Sequence, residues 1–128
     1  MKQEDKDLLV KDICGRLPYG VKVSYKCNQV HEIGGYHPAS GLAVIKDTKT
    51  NSLVTTNIEN IVPYLFPLSS MTAEQRREYT HIANMYGNIA STQLAGTTIQ
   101  DWFDKNHIDY RGLIPKGLAN DATGLNLY

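Results

Sequence analysis

The sequence predicts an α+β fold in a single domain. A helix is expected in residues 1–17, a small curled antiparallel sheet in 19–56, a buried connector in 57–71, and a helical half with a tail in 72–128. Three observations carry this expectation. Val21, Val23 and Tyr25 alternate with Lys22, Ser24 and Lys26, the period of a strand with one wet face. Tyr79, Ile82, Ala83 and Tyr86 recur at i, i+3, i+4 and i+7, the period of an amphipathic helix. Between these two regimes Pro63 and Pro67 interrupt an apolar run, Tyr64, Leu65, Phe66 and Leu68. Each proline removes a backbone donor and biases its predecessor towards extended geometry, so a bent, buried connector is expected rather than a helix or a central strand.

A length of 128 residues is that of one domain, and surface scaling at this size buries about two-thirds of the unfolded chain's area, enough for a core without staples. Thirteen Lys and Arg balance thirteen Asp and Glu, which argues against the counterion-release binding of a general DNA coater. Cys14 and Cys27 are the only cysteines. With no signal-peptide pattern and no long apolar run, a reduced pair in a soluble, cytoplasmic protein is expected.

Met1 to Asp7 is mixed in charge and expected to fray. Val10, Ile13, Cys14 and Leu17 then share one helical face, which Leu9 widens. This places Cys14 on the core side as a small buried hydrophobe, with no basic neighbour to activate its thiol. Pro18 and Gly15 stop the helix between Gly15 and Leu17. After the strand at 21–26, Cys27-Asn28 is a turn, Val30 and Ile33 belong to a second strand, and Gly34 to Gly41 is a loop. Leu42–Ile45 and Leu53–Thr56 form a hairpin about the turn residues 47–52. Four such strands suggest a small sheet that could close as an SH3-like or Sm-like barrel, although closure needs one strand more.

Asn57 caps a single turn before Pro63. Thr72 and Gln75 form a capping box with Glu74 in the first turn, and Gly87-Asn88 ends that helix. Residues 88–96 are expected to be a mobile loop. A second box, Thr97 with Gln100, opens a short helix with Ile99, Trp102 and Phe103 inward and Asp101, Asp104 and Lys105 outward. Trp102 is expected to anchor the helical half. Asn106 to Gly112 is a polar turn, and Leu113, Ile114 and Leu118 dock a final apolar segment.

Leu17-Pro18-Tyr19-Gly20, the run Pro63 to Thr72, and Asp101-Trp102-Phe103 leading to Asp109-Tyr110-Arg111-Gly112-Leu113-Ile114 together carry a resemblance. In these pieces the chain resembles a family of short uncharacterised proteins encoded by gut anaerobes and by their phages and integrated elements. The resemblance implies the same opening helix followed by a strand region, and the context of a phage or mobile-element accessory protein. It brings no activity and transfers no catalytic residue. The stretches 34–41 and 88–96 fall outside it.

The four histidines, His31, His37, His81 and His107, have no His or Cys partner at ligand spacing, so no metal site and no cofactor are expected. Lys22, Lys26, Lys46 and Lys49, with Tyr25 and Tyr36 between them, would suit a nucleotide or nucleic-acid binding small barrel. Lysines on edge strands also serve simply to prevent sheet-to-sheet association. Asp104, His107, Asp109 and Arg111 are the densest chemical cluster and could supply an acid, a base and an anion clamp to a small enzyme. Helix-dipole pairing, a turn cap at Asp109 and an Arg111–Asp109 bridge account for the same residues without function. The expectation is a non-enzymatic binding protein acting on a protein partner, with no catalytic residues and a contact surface at His107, Asp109, Tyr110 and Arg111. Tyr and Arg are the types that most often anchor interfaces.

Overall fold

The computed structural model describes residues 1–26, 29–87 and 92–128. An N-terminal helix α1 (Gln3–Arg16) runs into a 3₁₀ turn at Leu17–Tyr19 and then a meander of four antiparallel strands: β1 (Lys22–Tyr25), β2 (Gln29–His37), β3 (Leu42–Asp47) and β4 (Leu53–Asn57). A fifth strand, β5 (Val62–Pro67), precedes two helices, α2 (Ala73–Gly87) and α3 (Thr92–Lys105). Two short strands, β6 (Ile108–Asp109) and β7 (Asn120–Asp121), follow. The sheet order is β4-β3-β2-β1-β5-β6, with β7 also on β5; β6 and β7 lie parallel to β5 and the other pairs are antiparallel. Among the described residues no pairing joins β4 to β6, and no helix is long and apolar enough to cross a membrane.

Four local readings are corrected by this architecture. Helix α1 starts at Gln3, so Asp5 and Lys6 belong to its first turns, and the left-handed residue that ends the turn after it is Gly20, at φ +67°, rather than Gly15. Gly34-Gly35 is part of β2: the register slips between Ile33 and Gly35, a bulge that lets one long strand bend instead of ending. The segment read as a connector contains β5, in the middle of the sheet. Pro63 is tolerated because it lies opposite Val23, whose neighbours in the ladder leave the nitrogen of Pro63 facing away from β1. Its burial is as expected, with Leu65 fully enclosed and Tyr64 nearly so. The last correction is that α3 begins at Thr92, with Thr97 inside it, and that the chain after α3 returns to the sheet as β6 and β7 rather than staying helical.

The capping box at the start of α2 is formed as expected. The Thr72 amide donates to Gln75 Oε1 at 3.0 Å, and the Gln75 amide to Thr72 Oγ1 at 3.1 Å. His81, on the outer side of α2, is exposed. The expected turn at Cys27-Asn28 and the first residues of the expected 88–96 loop lie outside the described residues.

The core gathers Leu9 and Ile13 of α1, Val21, Val23, Ile33, Ala43 and Ile45 of the meander, Ile58, Ile61 and Leu65, and Leu113 and Leu118 of the C-terminal segment. The buried face of α1 is therefore Leu9, Asp12, Ile13 and Arg16, an i, i+3, i+4, i+7 stripe rotated by one residue from the apolar one. Cys14 is exposed, not on the core side. Trp102 is only half-buried, its indole N–H donating to Glu78 at 3.1 Å, and Phe103 is the buried aromatic of α3.

Candidate functional site

Asp12 and Arg16 stand one helical turn apart on the inner face of α1, and both are completely buried. Arg16 grips Asp12 with two bonds, Nε to Oδ2 at 2.8 Å and Nη2 to Oδ1 at 3.0 Å. Its Nη2 also donates to the carbonyl of Ile108 in β6 at 2.7 Å, tying the helix to the far strand of the sheet. Arg111 reaches the same carboxylate, Nη1 to Asp12 Oδ1 at 2.9 Å. Asp104 of α3 closes the group at 3.8 Å from Arg16 Nε and 4.0 Å from Arg111 Nη1, and is itself buried, contrary to its expected outward position. Two guanidiniums thus face two carboxylates, and the pocket is electrically balanced. Gly15 belongs to this junction: a Cβ there would lie 3.1 Å from Asp104 Oδ2, so the missing side chain is what lets α1 and α3 approach.

Tyr110 lies against this group. Its ring stacks on Phe103 with centroids 5.0 Å apart, and the guanidinium carbon of Arg111 sits 4.4 Å from the ring centre. The hydroxyl of Tyr110, Asp104 Oδ1 and Arg16 Nη1 are buried without a hydrogen-bond partner. Burial pushes the Tyr110 phenol up to about 12, and the nearby Asp104 adds to this. Burial likewise raises the Asp104 carboxyl, against the pull of Arg16 and Arg111. In His107, burial and then the positive charges of Arg16 and Lys22 bring the imidazole down to about 4. At neutral pH the site holds a neutral imidazole and a protonated phenol.

The expected site residues divide into three environments. Asp109 is buried and accepts from the amides of Leu113 and Ile114, each at 2.8 Å, so it shapes the turn as expected. Arg111 is bonded to Asp12 and not to Asp109, because the turn directs its guanidinium back onto α1. His107, in the left-handed region at φ +58°, stacks on Tyr128 at 3.7 Å and is set apart from Tyr110 and Arg111. The polar turn expected at 106–112 thus contains strand β6 and turns two of its charged side chains inward. Lys22, one of the lysines of the sheet, is paired with Glu32 at 3.1 Å, and Tyr25 packs edge-on against buried His31.

The chain matches no family model, no curated protein and no solved structure among known proteins.

What the 109–115 turn does present to solvent is one wall of a groove of about 500 Å³, whose opposite wall is Pro67–Ser69. Tyr110, Arg111, Ile114 and Pro115 line it, and Leu68 stands at its edge 45 % exposed. In the sequence Leu68 reads only as part of the connector. The signal for Asp12 and Arg16 is their i, i+4 spacing beside Leu9 and Ile13.

Proposed function

We propose that this chain is a non-enzymatic binding module that acts on a protein partner through the groove between Pro67–Ser69 and the 109–115 turn. The observation that carries the reading is the makeup of that groove: an exposed leucine, an isoleucine and two prolines surround Tyr110 and Arg111. Aromatic and arginine side chains set among apolar ones make the centre of many interfaces. The Asp12–Arg16–Arg111 group supports the reading from beneath, since it fixes the backbone and the guanidinium of the turn before any partner arrives, which lowers the ordering cost of association. The resemblance to proteins of gut anaerobes and their phages supports an accessory role in a mobile-element setting.

The test compares two exposed leucines. Leu68→Asp places a charge in the groove, and Leu53→Asp places one on β4, where the leucine is 69 % exposed. Affinity capture quantified by mass spectrometry is expected to retain a partner with wild type and Leu53→Asp and to lose it with Leu68→Asp. Identical capture by all three would refute the groove. Retention on single-stranded DNA that falls steeply with salt would favour the nucleic-acid reading instead.

A further inference from the structure

Strands β1 and β5 are in register at two positions. Val23 lies opposite Pro63 and Ser24 opposite Val62, so the next antiparallel pair is Lys22 with Tyr64. There the Lys22 amide and the Tyr64 carbonyl are joined through a third group. The Lys22 amide donates to the hydroxyl of Tyr128 at 2.7 Å, and the same hydroxyl donates to the carbonyl of Tyr64 at 2.8 Å. A phenol has been spliced into the ladder as one acceptor and one donor. On this edge of β5 the next amide, that of Phe66, bonds to the His107 carbonyl, so the neighbour of β5 passes from β1 to β6 just beyond this point.

The walls of the gap suit the rest of the ring. His107 stacks flat on Tyr128, with centroids 3.7 Å apart and planes 16° from parallel, and Phe66 covers it at 5.8 Å. The Phe66 amide is held by the His107 carbonyl at 2.8 Å, so the two wall rings are fixed to each other through the backbone. The segment that delivers Tyr128 has little else to hold it. Thr123, Gly124, Leu125 and Asn126 are exposed, with Leu125 at 50 %, and the bonds from Thr123 N to Asp121 Oδ1 and from Leu125 N to Ala122 O are local turns.

We propose that this gap in the β1–β5 ladder is a receptor site for a tyrosyl side chain, which the chain fills with its own Tyr128 and which a tyrosine presented by a protein partner takes in exchange. The chemistry of the site is selective. Phenylalanine fills the ring space but leaves the Lys22 amide and the carbonyl of buried Tyr64 without the hydroxyl that joins them, and a serine hydroxyl does not reach. Burial raises the Tyr128 phenol, so it keeps the proton that the Tyr64 carbonyl needs. The site is separate from the groove, and either can be wrong without the other. His107 belongs to this one.

The experiment uses Tyr128→Ala with two small probes, N-acetyl-tyrosinamide and N-acetyl-phenylalaninamide, which differ only in the hydroxyl. In the variant the Lys22 amide is expected to exchange with solvent at least about tenfold faster than in wild type, because its acceptor is gone. Millimolar N-acetyl-tyrosinamide is expected to raise the melting temperature by a few degrees and to restore protection at Lys22, as a ligand of the folded state does. The phenylalanine probe is expected to do neither. Wild type is expected to respond at least about tenfold more weakly at the same concentration, since the tethered Tyr128 competes at a high effective concentration. Equal responses to the two probes, no response to either, or an equal response in wild type would each overturn the proposal. Should Tyr128→Ala fail to fold alone, the same comparison is made on recovery of the folded spectrum. Recovery with the tyrosine probe only supports the site, and recovery with both or neither overturns it.

Discussion

Replacing Asp12 by Asn keeps the shape of the side chain and removes the charge that two guanidiniums share. Two of the three bonds it accepts end on Oδ1, from Arg16 Nη2 and Arg111 Nη1, and an amide oxygen there still accepts both. The third, from Arg16 Nε, ends on Oδ2, where the Asn amide places a donor against a donor. One charge-assisted bond is lost, about 1.5–3 kcal/mol, and Arg16 is left buried with less than a full counter-charge. Together these should cost about 3–4 kcal/mol, within the range of about 3–5 kcal/mol for breaking a buried ion pair. Asp104→Asn is the control. Asp104 makes no hydrogen bond with Oδ1, and its raised carboxyl means that the folded state holds the proton more tightly than the unfolded chain. Stability from that group is present at low pH and lost as pH rises past the ordinary carboxylate range, so at pH 7 the ionised form is a burden that Asn removes. Urea melts at pH 7 followed by circular dichroism should show Asp104→Asn within about 1 kcal/mol of wild type. A loss below about 1 kcal/mol for Asp12→Asn, or equal losses for the two variants, would refute the assignment of Asp12 as the hub.

Three further outcomes follow from the packing. Phe103→Ala should destabilise by about 3–5 kcal/mol, as truncation of a buried aromatic does, whereas half-buried Trp102→Ala should lose about half as much; the reverse order in urea melts would return the anchor to Trp102. Thr72→Ala removes one arm of the capping box and should cost about 1 kcal/mol, read in the same melts. His107 is held neutral in the fold, so the unfolded chain takes up its proton first and stability should fall as pH drops from about 6.5 towards 4. For a ring partly in contact with water the loss should be about 1 kcal/mol, and it should vanish in His107→Gln.

The sheet meander and the start of α2 were legible because their signals are local. Alternation in 21–26 and the turn residues 47–52 act over a few positions, and the Thr72–Gln75 box closes within one turn. The buried face of α1 was not, for a reason that lies in the chemistry. Hydropathy selects Val10, Ile13, Cys14 and Leu17, and it treats Asp12 and Arg16 as solvated. Their partners, Asp104, Arg111 and the Ile108 carbonyl, are more than eighty residues away, and only those partners make the burial of charge tolerable. The same blindness put Asp104 on the outside of α3 and joined Arg111 to Asp109.

Pro63 and Pro67 misdirected the reading of 57–71 in a way that also explains the Tyr128 site. A proline excludes a central strand only if its nitrogen faces a neighbour that needs a donor, and facing is a property of register, which has period two. Here Pro63 falls on the half of the ladder that points away from β1, so the strand forms. The residue after it, Tyr64, points its polar groups back towards β1, and at the next such position, Phe66, the edge is bonded by His107 ahead of β6 instead. The Tyr64 carbonyl and the Lys22 amide are satisfied by one third group. Tyr128, 64 residues beyond Tyr64 in the chain, supplies it with one hydroxyl. The placement of a proline in the middle of the sheet and the demand for a tyrosine at its edge are thus two consequences of one register. If Pro63→Val allowed β5 to shift by a residue, the Tyr64 carbonyl would no longer face Lys22, and protection of the Lys22 amide would be lost together with the docking of Tyr128. Retained protection in that variant would show that the register is set elsewhere.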